Sequence, residues 1–313
     1  MSKQLVLHLL SKKYNKSEKF ANKNINLTFF SGEISAITGH NGAGKTTMLN
    51  QVIGITKPSK GSITFNGKSF VTESKVAREY VSMMPQLHAP LNGVTMSQSI
   101  RSILRIRGLS EKEVKRETTK ILKELAINDW KDTPGQKLSG GLRRLTSFAM
   151  TVAYPAPILL LDEPTNDVDP IRRQIIWKHL RKLAKSGHII IVVTHNLLEV
   201  EKYADRYILM NNGKVLENKR LQERSLEVNR LNKLVVNFSS EEEALCVKLP
   251  KSLKHTYNSE EVAHEFDIEA EEMVAGIFWL MQMIEEKKVV NYSFSPKSLN
   301  ETYGEMINGD DEE

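Results

Sequence analysis

The side chains best suited to chemistry begin in a glycine-rich run, Gly39-His40-Asn41-Gly42-Ala43-Gly44-Lys45-Thr46. An apolar run precedes it at residues 34–38, and residues 48–53 can continue it as a helix. The backbone N–H groups of such a turn point inward and the helix N-terminus adds a partial positive charge, so together they cradle a phosphate chain. The Lys45 ammonium can reach β- and γ-phosphates, and the Thr46 hydroxyl can coordinate Mg²⁺. The run therefore predicts a nucleotide-phosphate site.

Two adjacent carboxylates form a second chemical feature. Asp162 and Glu163 follow the aliphatic run at residues 158–161, which is typical of a strand buried on both faces of a parallel sheet. Such sheets place ligands at the carboxyl ends of their strands. Asp162 suits Mg²⁺, directly or through water, and Glu163 suits polarisation of an attacking water. An acidic turn after a core strand is the simpler alternative, but it does not account for the accompanying phosphate loop.

Two further segments are weaker signals on their own. Residues 187–193 repeat the buried-strand pattern and end at Thr194-His195, where the histidine can donate to a γ-phosphate or simply cap the next element. The segment Leu138-Ser139-Gly140-Gly141 offers an N-cap hydroxyl and free N–H groups to an anion. Serine followed by glycines is also common in loops, so this segment alone does not identify a site.

The elements that must position these residues alternate along the chain. Short strands are predicted at residues 4–10, 25–29, 61–65 and 80–84, and Asn66-Gly67 and Asn212-Gly213 are hairpin turns. From about 87 to 153 apolar residues recur at helical spacing, which predicts a helical insert between the phosphate run and Ser139. The pattern as a whole predicts an α/β fold.

Composition and charge limit the class of protein. The 313 residues suffice for two domains, and 40% hydrophobic with 26% charged residues is ordinary for a soluble globular protein. The net charge of +6 combines nine lysines and two glutamates in residues 1–60 with eighteen acidic and six basic residues in residues 241–313. The basic region could favour nucleotide, nucleic acid or an anionic membrane face, or be a solvated surface, and the charge does not decide between them.

Cysteine usage and hydropathy narrow the class further. The single Cys246 excludes an internal disulfide and a cysteine-based zinc site, and its apolar neighbours favour a buried side chain over a reactive thiol. The N-terminus lacks a secretory pattern, and the apolar segment at residues 273–284 is shorter than the roughly 20 residues of a membrane span. We therefore expect a cytosolic protein without a span of its own.

With these motifs in order, residues 4–220 resemble the ATP-binding subunit of an ABC transporter, a family defined by Leu138-Ser139-Gly140-Gly141 lying between the phosphate loop and the Asp162-Glu163 strand. The resemblance implies a P-loop NTPase core of the α/β class within a cassette domain at residues 1–220. It also implies a helical subdomain at about residues 87–153 and an antiparallel β subdomain. Residues 221–313 would form a small C-terminal α+β accessory domain.

The resemblance assigns a role to each motif residue. Tyr14 would stack on adenine, and the phosphates of ATP would be wrapped by Gly39, His40, Asn41, Gly42, Ala43, Gly44, Lys45, Thr46 and Thr47. Gln86 would sense Mg²⁺ and the γ-phosphate, Glu163 would be the catalytic base and His195 the switch histidine. The catalytic set is then Lys45, Gln86, Glu163 and His195, and the Mg²⁺ set is Thr46, Gln86 and Asp162. Asp169 would lie in the loop that crosses to a second subunit.

Two positions depart from the usual pattern of the family. Leu142 follows Gly141 where the family often has glutamine, and Leu145-Thr146 replaces a more usual Arg-Leu pair. Because position 142 varies within the family, we expect altered tuning of the activity and no loss of it. Retention of both Glu163 and His195 favours hydrolysis over binding alone.

The resemblance also implies partners. Ser139, Gly140 and Gly141 would face away from their own phosphate loop and complete the ATP site of a second cassette, either another copy or a close relative. ATP binding would close this dimer and hydrolysis would reopen it. An integral membrane permease would dock near residues 87–96 and the helical insert, so the chain would be peripheral on the cytoplasmic face of the cell membrane.

Beyond the cassette, strands are predicted at residues 234–238, 244–249 and 289–294, with a helix at residues 270–286 that carries acidic residues in its first turn. The apolar stripe of that helix is predicted to be core and comprises Met273, Ile277, Phe278, Leu280, Met281 and Ile284. Residues 296–303 resemble a segment that ends exporter-type subunits with a separate six-helix permease, which favours export of a drug, peptide or lipid-like substrate. Residues 310–313 are predicted to be a disordered tail.

Two other functions share these nucleotide motifs. A soluble ABC ATPase acting on ribosomes or DNA is one alternative, but ribosome-associated members usually carry two cassettes and DNA-repair members separate the motifs by long coiled coils. This sequence has one phosphate loop and one Leu138-type segment, with Gly39 and Ser139 only 100 positions apart, so no nucleic-acid partner is expected. A sensing or immunity ATPase that couples to a permease without moving cargo would have the same ATP-binding residues.

Overall fold

A computed structural model describes residues 3–15, 18–86, 92–221, 231–250, 253–269 and 271–296. The chain divides into two compact units, Met1–Lys219 and Arg220–Glu313. Within the described part of the first unit the elements are β1 (Gln4–Lys13), β2 (Phe20–Phe30), β3 (Ile34–Thr38), α1 (Lys45–Val52), β4 (Lys60–Phe65), β5 (Lys68–Ser69), α2 (Ser74–Tyr80), β6 (Val81–Met84), α3 (Met96–Ile106), α4 (Glu111–Glu124), α5 (Gly140–Val152), β7 (Ile158–Asp162), α6 (Pro170–Lys185), β8 (Ile189–Val193), α7 (Leu197–Tyr203), β9 (Arg206–Asn211) and β10 (Lys214–Arg220).

A six-stranded sheet in the order β10-β9-β3-β8-β7-β6 forms the centre of this unit. Strands β9, β3, β8, β7 and β6 pair in parallel. Every residue of β3, β7 and β8 is buried, as their continuous aliphatic runs predict. Alternate side chains of β7 enter different cores: Leu159 and Leu161 pack with the helices of one layer, and Leu160 packs with the antiparallel strands of the other. The predicted α/β class is confirmed.

An antiparallel sheet in the order β2-β1-β4-β5 covers one face of the parallel sheet. Strand β1 pairs with β2 through Gln4↔Phe30 and with β4 through Leu5↔Phe65. The Asn66-Gly67 turn joins β4 to β5, with positive φ at both residues, as the sequence predicts. Several boundaries differ from the predictions: β1 continues to Lys13, β2 spans Phe20–Phe30, and Tyr80 ends α2 and does not begin β6.

Within its described residues, the insert predicted at about residues 87–153 contains α3, α4 and α5, and two 3₁₀ turns, Asn128–Trp130 and Gly135–Lys137, lie between α4 and α5. Helix α3 begins with a capping box in which the Thr95 side chain accepts from the Gln98 N–H and the Gln98 side chain accepts from the Thr95 N–H. Apolar residues at helical spacing pack into the same core as one face of the parallel sheet. Helices α3 and α4 therefore lie in the chain between the phosphate loop and the N-terminus of α5.

The second unit contains β11 (Leu231–Phe238), α8 (Glu241–Cys246), β12 (Lys254–Asn258), β13 (Ala263–Glu269), α9 (Met273–Glu285) and β14 (Val289–Pro296) within its described residues. The strands form an antiparallel sheet in the order β12-β13-β11-β14. Its core comprises Leu234, Val236, Phe238, Ala244, Val247, Leu253, Phe266, Ile268, Trp279, Leu280 and Met283. The predicted strands at 234–238 and 289–294 are confirmed by β11 and β14.

Several predictions for the second unit are wrong. Residues 244–246 lie in helix α8 and not in a strand, because Ser240 caps the helix and three glutamates stabilise its first turn. Helix α9 begins at Met273, so Glu271 and Glu272 precede it and no acidic residue lies in its first turn. Strands β12 and β13 were not predicted. Residues 310–313 and all but the first residue of the 296–303 segment lie outside the described residues.

Two burial predictions in the second unit are also wrong. Cys246 is exposed, because the short helix α8 buries only Ala244. The apolar stripe of α9 is not core as a whole: Leu280 is buried and Met273 packs against the core, but the helix exposes Ile277, Phe278, Met281 and Ile284. Helix α9 is apolar on both sides, and its core-facing side is centred on Gly276, Trp279, Leu280 and Met283.

Candidate functional site

The predicted chemical residues meet at one edge of the parallel sheet. Strand register aligns Ile37 with Val193 and Val193 with Asp162, so the carboxyl ends of β3, β8 and β7 lie side by side. A cleft of ≈ 230 Å³ opens at this edge, here called the phosphate cleft. It is lined by Ala21, Asn41, Gly42, Ala43, Gly44, Lys45, Thr46, Thr47, Gln86, Asp162, Glu163 and Val193.

Glycine is required at two positions of the phosphate loop by close backbone approach. A Cβ on Gly39 would lie 2.2 Å from the Met210 carbonyl oxygen, and a Cβ on Gly44 would lie 2.2 Å from the Ala21 carbonyl oxygen. Both residues also have positive φ. The loop is therefore wedged between β9 and β2 and held to one shape. Gly44 is the N-cap of α1, so the free N–H groups of that helix open on the loop.

The Lys45 ammonium and the Thr46 hydroxyl lie at the mouth of this loop. Lys45 Nζ donates to the carbonyl oxygens of Gly39 at 2.6 Å and His40 at 2.9 Å. Burial lowers the pKa of Lys45, against the opposing attraction of Glu163 and Asp162. The ammonium is thus partly desolvated and lies close to two carboxylates, which strengthens its interaction with an incoming anion.

Asp162 and Thr46 form an oxygen-rich pair. Thr46 Oγ1 donates to Asp162 Oδ2 at 3.2 Å. Burial raises the pKa of Asp162, and the neighbouring Glu163 carboxylate adds to the effect. A hydroxyl and a carboxylate at the phosphate loop are the hard oxygen donors that Mg²⁺ prefers, so the residues present fit that ion.

Glu163 and His195 form the second pair of the cleft. His195 Nδ1 lies 3.0 Å from Glu163 Oε1, and the histidine is largely exposed whereas the glutamate is largely buried. Glu163 has φ of +52°, an unfavourable conformation for glutamate that its backbone bond from N–H to the Val193 carbonyl helps to hold. The strand ends therefore aim a carboxylate into the cleft and place a histidine directly beside it.

Gln86 reaches the cleft from the end of β6. The backbone carbonyl oxygen of Gln86 accepts from Arg144 Nη1 at 2.9 Å, and Arg144 is a buried residue of α5. Burial lowers the pKa of Arg144, against the attraction of Asp167, Glu163 and Asp162. Sequence reasoning missed Arg144, and the available signal was an arginine in a helix that also carries Leu145, Phe148 and Val152.

Asn22 is a second residue that sequence reasoning missed. Its Nδ2 donates to the Gly44 carbonyl oxygen at 3.0 Å, and its Oδ1 accepts from the buried Gln51 Nε2 at 2.9 Å. These bonds hold the phosphate loop from the side of β2 and α1. A single asparagine in an alternating strand gives no signal of this role in the sequence.

Three residues with predicted roles at the nucleotide, Tyr14, Ser139 and Asp169, are not among the described residues that line the phosphate cleft. Tyr14 is half-exposed, with Lys12 Nζ 5.0 Å from its ring centroid. Asp169 caps α6 by accepting from the Arg172 N–H at 3.0 Å. Ser139 caps α5 by accepting from the Leu142 N–H at 3.3 Å. The predicted roles of these residues stay predictions.

Gly140 and Gly141 pack against the loop that follows Glu163. A Cβ on Gly141 would lie 2.6 Å from the Asp167 carbonyl oxygen, so this glycine permits contact between α5 and residues 164–169. Leu142 is partly buried against the core that the helices form with the parallel sheet. Its backbone carbonyl oxygen accepts from the Thr146 hydroxyl at 2.8 Å. The two departures from the family pattern thus bond to each other within α5.

A larger cavity of ≈ 680 Å³ lies among α2, β6, α3 and α5. Its lining comprises Arg78, Glu79, Ser82, Met83, Pro85, Ile103, Ile106, Arg107, Ser147, Met150 and Thr151. Arg107 Nη2 donates to Ser82 Oγ at 2.8 Å, and Ile106 is strongly exposed. The predicted permease-docking segment adjoins this cavity at Pro85, although residues 87–91 lie outside the described residues. Among the helices that the structure describes, none has the length and apolar character to cross a membrane.

Comparison with known proteins gives consistent results. The ABC transporter family model matches residues 22–166. The mouse retinal-specific phospholipid-transporting ATPase ABCA4 is 33% identical over 206 residues, which cover 66% of this chain and 9% of that protein. The curated relatives are much longer, and the chain spans between 8% and 18% of their length.

Solved structures of single cassettes match over most of their own length. The chain resembles a dimeric bacterial ABC transporter cassette, MJ0796, with TM-score 0.65 and 26% identity over 69% of this chain and 98% of that one. It is also similar to cbiO1 from Clostridium perfringens, part of the ABC transporter complex cbiONQ, with TM-score 0.61 and 30% identity over 71% of this chain and 90% of that one.

Proposed function

The chain belongs to the ABC transporter family, and on that premise we propose that it is the ATP-binding and ATP-hydrolysing unit that powers a membrane permease. The observation that carries the proposal is the convergence of the phosphate loop, Asp162, Glu163 and His195 at one edge of the parallel sheet. We assign the cassette to residues 1–220 and an accessory domain to residues 221–313.

Nucleotide binding rests on the phosphate loop. Backbone N–H groups of the loop and of the α1 N-terminus donate to the phosphates, and Lys45 exchanges its carbonyl contacts for the β- and γ-phosphate oxygens. Tyr14 stacks on the adenine. Thr46, Asp162 and Gln86 would hold Mg²⁺, which when bound neutralises charge that develops on the phosphate oxygens.

Hydrolysis is assigned to the pair at the strand ends. The Glu163 carboxylate accepts a proton from the attacking water, and His195, which contacts that carboxylate through Nδ1 in this structure, gives up that contact to donate its N–H toward the γ-phosphate. Lys45 stabilises the charge of the transferring group. Gln86 lies at the cleft on a segment fixed by Arg144, so it can report occupancy of the γ-phosphate position to the helical insert.

A second cassette completes the site. Ser139, Gly140 and Gly141 begin α5 with free N–H groups but do not belong to the described lining of the phosphate cleft of their own chain. We assign them to the ATP of a second copy, or of a close relative, packed head to tail, with Asp169 in the loop that crosses between the two. The dimeric state named for the similar cassette MJ0796 supports this arrangement.

The permease is assigned to the cavity among α2, β6, α3 and α5. This cavity lies beside the Gln86 segment and combines apolar residues with two arginines, which suits a short amphipathic helix of a membrane protein. The chain would then lie on the cytoplasmic face of the membrane, with the permease in a separate chain. The ABCA4 relative is a phospholipid-transporting ATPase, which supports a lipid-like substrate over a drug or peptide, and the direction that we assign to the transport is export.

The test is a Glu163→Gln variant. We expect ATP hydrolysis to fall by roughly a hundredfold to ten-thousandfold, because the amide cannot accept the proton of the attacking water. ATP binding should persist, and the variant should form an ATP-dependent dimer that size-exclusion chromatography with light scattering detects. Near-normal turnover would refute the base assignment. A strictly monomeric variant with Mg-ATP, alone and with each candidate permease, would refute the shared site.

A further inference from the structure

A buried carboxylate outside the predicted motifs joins the loop after Glu163 to the helix after His195. Glu199 lies in the first turn of α7 and is only 8% exposed. It does not line the phosphate cleft. Burying a carboxylate lowers the stability of the fold unless the carboxylate accepts hydrogen bonds. The donors that bond to Glu199 therefore indicate its role.

One oxygen of this carboxylate accepts two hydrogen bonds. Glu199 Oε2 accepts from Thr165 Oγ1 at 2.7 Å and from Trp177 Nε1 at 2.9 Å. Both donors are almost completely buried. Trp177 belongs to α6 and packs in the hydrophobic core, whereas Thr165 lies two residues after Glu163. The carboxylate therefore ties the segment next to the proposed catalytic base to a fixed support.

The other oxygen reaches the far end of the same loop through Arg173. Arg173 Nη1 lies 3.4 Å from Glu199 Oε1, and Arg173 Nε donates to the Val168 carbonyl oxygen at 2.6 Å. The loop of residues 164–169 is thus held at Thr165 directly and at Val168 through the arginine. Asp169, the residue assigned to the crossing between subunits, immediately follows this second point.

The backbone of Glu199 is tied to the segment after His195. Asn196 accepts the Glu199 N–H at 3.2 Å through its side chain and begins α7. The Asn196 N–H donates in turn to Thr194 Oγ1 at 3.1 Å. Hydrogen bonds thus connect the residues on both sides of His195 to Glu199, and the Glu199 carboxylate connects them to Thr165.

We propose that Glu199 is a positioning residue that keeps the loop of residues 164–169 in register with His195. The inference rests on the proposed function of the cleft. In this arrangement, contact of His195 with the γ-phosphate and contact of the 164–169 loop with the second subunit are coupled through one carboxylate. Glu199 is buried and does not line the phosphate cleft, so it acts only by placing Glu163, His195 and the loop.

The experiment measures ATP hydrolysis by the full chain with Glu199→Ala and Glu199→Gln. The glutamine variant keeps a side-chain oxygen that can accept from Thr165 and Trp177, whereas the alanine variant removes every side-chain bond and keeps the backbone bond to Asn196. For Glu199→Ala we expect kcat per nucleotide-binding molecule to fall by about tenfold to a hundredfold. The KM for ATP should stay within about threefold of wild type, because the phosphate loop is untouched. Glu199→Gln should restore most of the lost kcat.

A second pair of variants keeps the test decisive where Glu199→Ala fails to fold. Thr165→Val removes the hydroxyl at constant volume and should lower kcat, and Thr165→Ser keeps the hydroxyl and should restore it. Leu198→Ala, at an exposed position of the same helix, is the matched control and should leave both kinetic constants unchanged. The concentration of nucleotide-binding protein is measured for each preparation, and each ATPase rate is divided by it, so that kcat refers to folded molecules.

The outcomes separate this inference from the function on which it rests. Wild-type kcat per folded molecule in both Glu199→Ala and Thr165→Val, with only the unfolding temperature lowered, would overturn the positioning role and leave the proposed ATPase intact. Equal losses in Glu199→Ala and Glu199→Gln would also overturn it, since the acceptor geometry would then be irrelevant. A wild-type chain that does not hydrolyse ATP would overturn the proposed function itself, and the positioning role with it.

Discussion

In the phosphate cleft of the first unit, charged groups lie close together inside the protein. Asp162 is buried next to Glu163, and Lys45 is partly buried beside both. In the second unit, by contrast, the clustered core is apolar, and apolar side chains of α9 lie outside it as well. One region buries charge and the other exposes hydrophobic surface, and each does so against the usual preference of its residues.

The cost of burying charge in the cleft is visible in its titrating groups. Burial raises the pKa of Asp162 and lowers the pKa of Lys45, which means that the fold disfavours the charged form of each. Groups kept charged at such a cost serve a ligand more than they serve stability. Substitutions in the cleft should therefore reduce activity without reducing stability, and core substitutions in the second unit should do the reverse.

Lys45→Ala gives the largest expected effect and tests the first half of this comparison. We expect ATP hydrolysis to fall by at least about a hundredfold, because the charge opposite the β- and γ-phosphates is lost. The temperature of unfolding without nucleotide should not fall, because a partly desolvated ammonium is removed. Steady-state ATPase assays and thermal unfolding monitored by circular dichroism measure the two effects.

Lys57→Ala serves as the matched control for Lys45→Ala, since Lys57 is an exposed lysine of the same basic region. It should leave both measurements at the wild-type level. If Lys45→Ala lost stability and activity together, the cleft would not differ from an ordinary packed region.

Asp162→Asn tests the cost of the buried carboxylate through its pH dependence. Because burial raises the pKa of Asp162, the stability linked to this group is fully present below its unfolded pKa and is lost as the pH rises through the folded pKa. Asparagine does not ionise, and its side-chain oxygen can still accept from Thr46. At neutral pH the variant should therefore unfold at a higher temperature than wild type, and the difference should shrink as the pH is lowered.

Thermal unfolding of the nucleotide-free chain at a series of pH values measures this difference. Asp129→Asn, which removes an exposed carboxylate from a 3₁₀ turn, is the control. A variant less stable than wild type at neutral pH would show that the carboxylate is stabilising, and the interpretation of the cleft as a costly arrangement would fail.

The two regions also differ in how far their sequences predict them. In the first unit, uninterrupted aliphatic runs at residues 158–161 and 189–193 favour buried strands of a parallel sheet, and the register of that sheet places Asp162 beside Val193. Arg144 and Glu199 could not be assigned in this way. Each acts through a tertiary contact, with Gln86 or with Thr165, that no local spacing encodes.

In the second unit, local patterns mislead. The run Ala244-Leu245-Cys246-Val247 is apolar enough for a strand, but the cap at Ser240 and the glutamates before Ala244 decide for a helix. The helix α9 is apolar almost all round, so its sequence does not indicate which side packs on the sheet. Gly276 decides this, because a Cβ there would lie 2.5 Å from the Ile268 side chain and the helix therefore packs on that side.

Phe278→Ser is expected to have the smallest effect and tests the second half of the comparison. Phe278 and Trp279 are adjacent large aromatic residues of α9, but Phe278 is 71% exposed and Trp279 is 6% exposed. Trp279 also donates through Nε1 to the Lys248 carbonyl oxygen at 3.0 Å. Trp279→Ala should cost about 3–5 kcal/mol of unfolding free energy, whereas Phe278→Ser should change it by less than about 0.5 kcal/mol. Urea unfolding of both variants measures the contrast, and equal losses would show that Phe278 is covered in solution, so that this face of α9 packs against a surface it needs for stability.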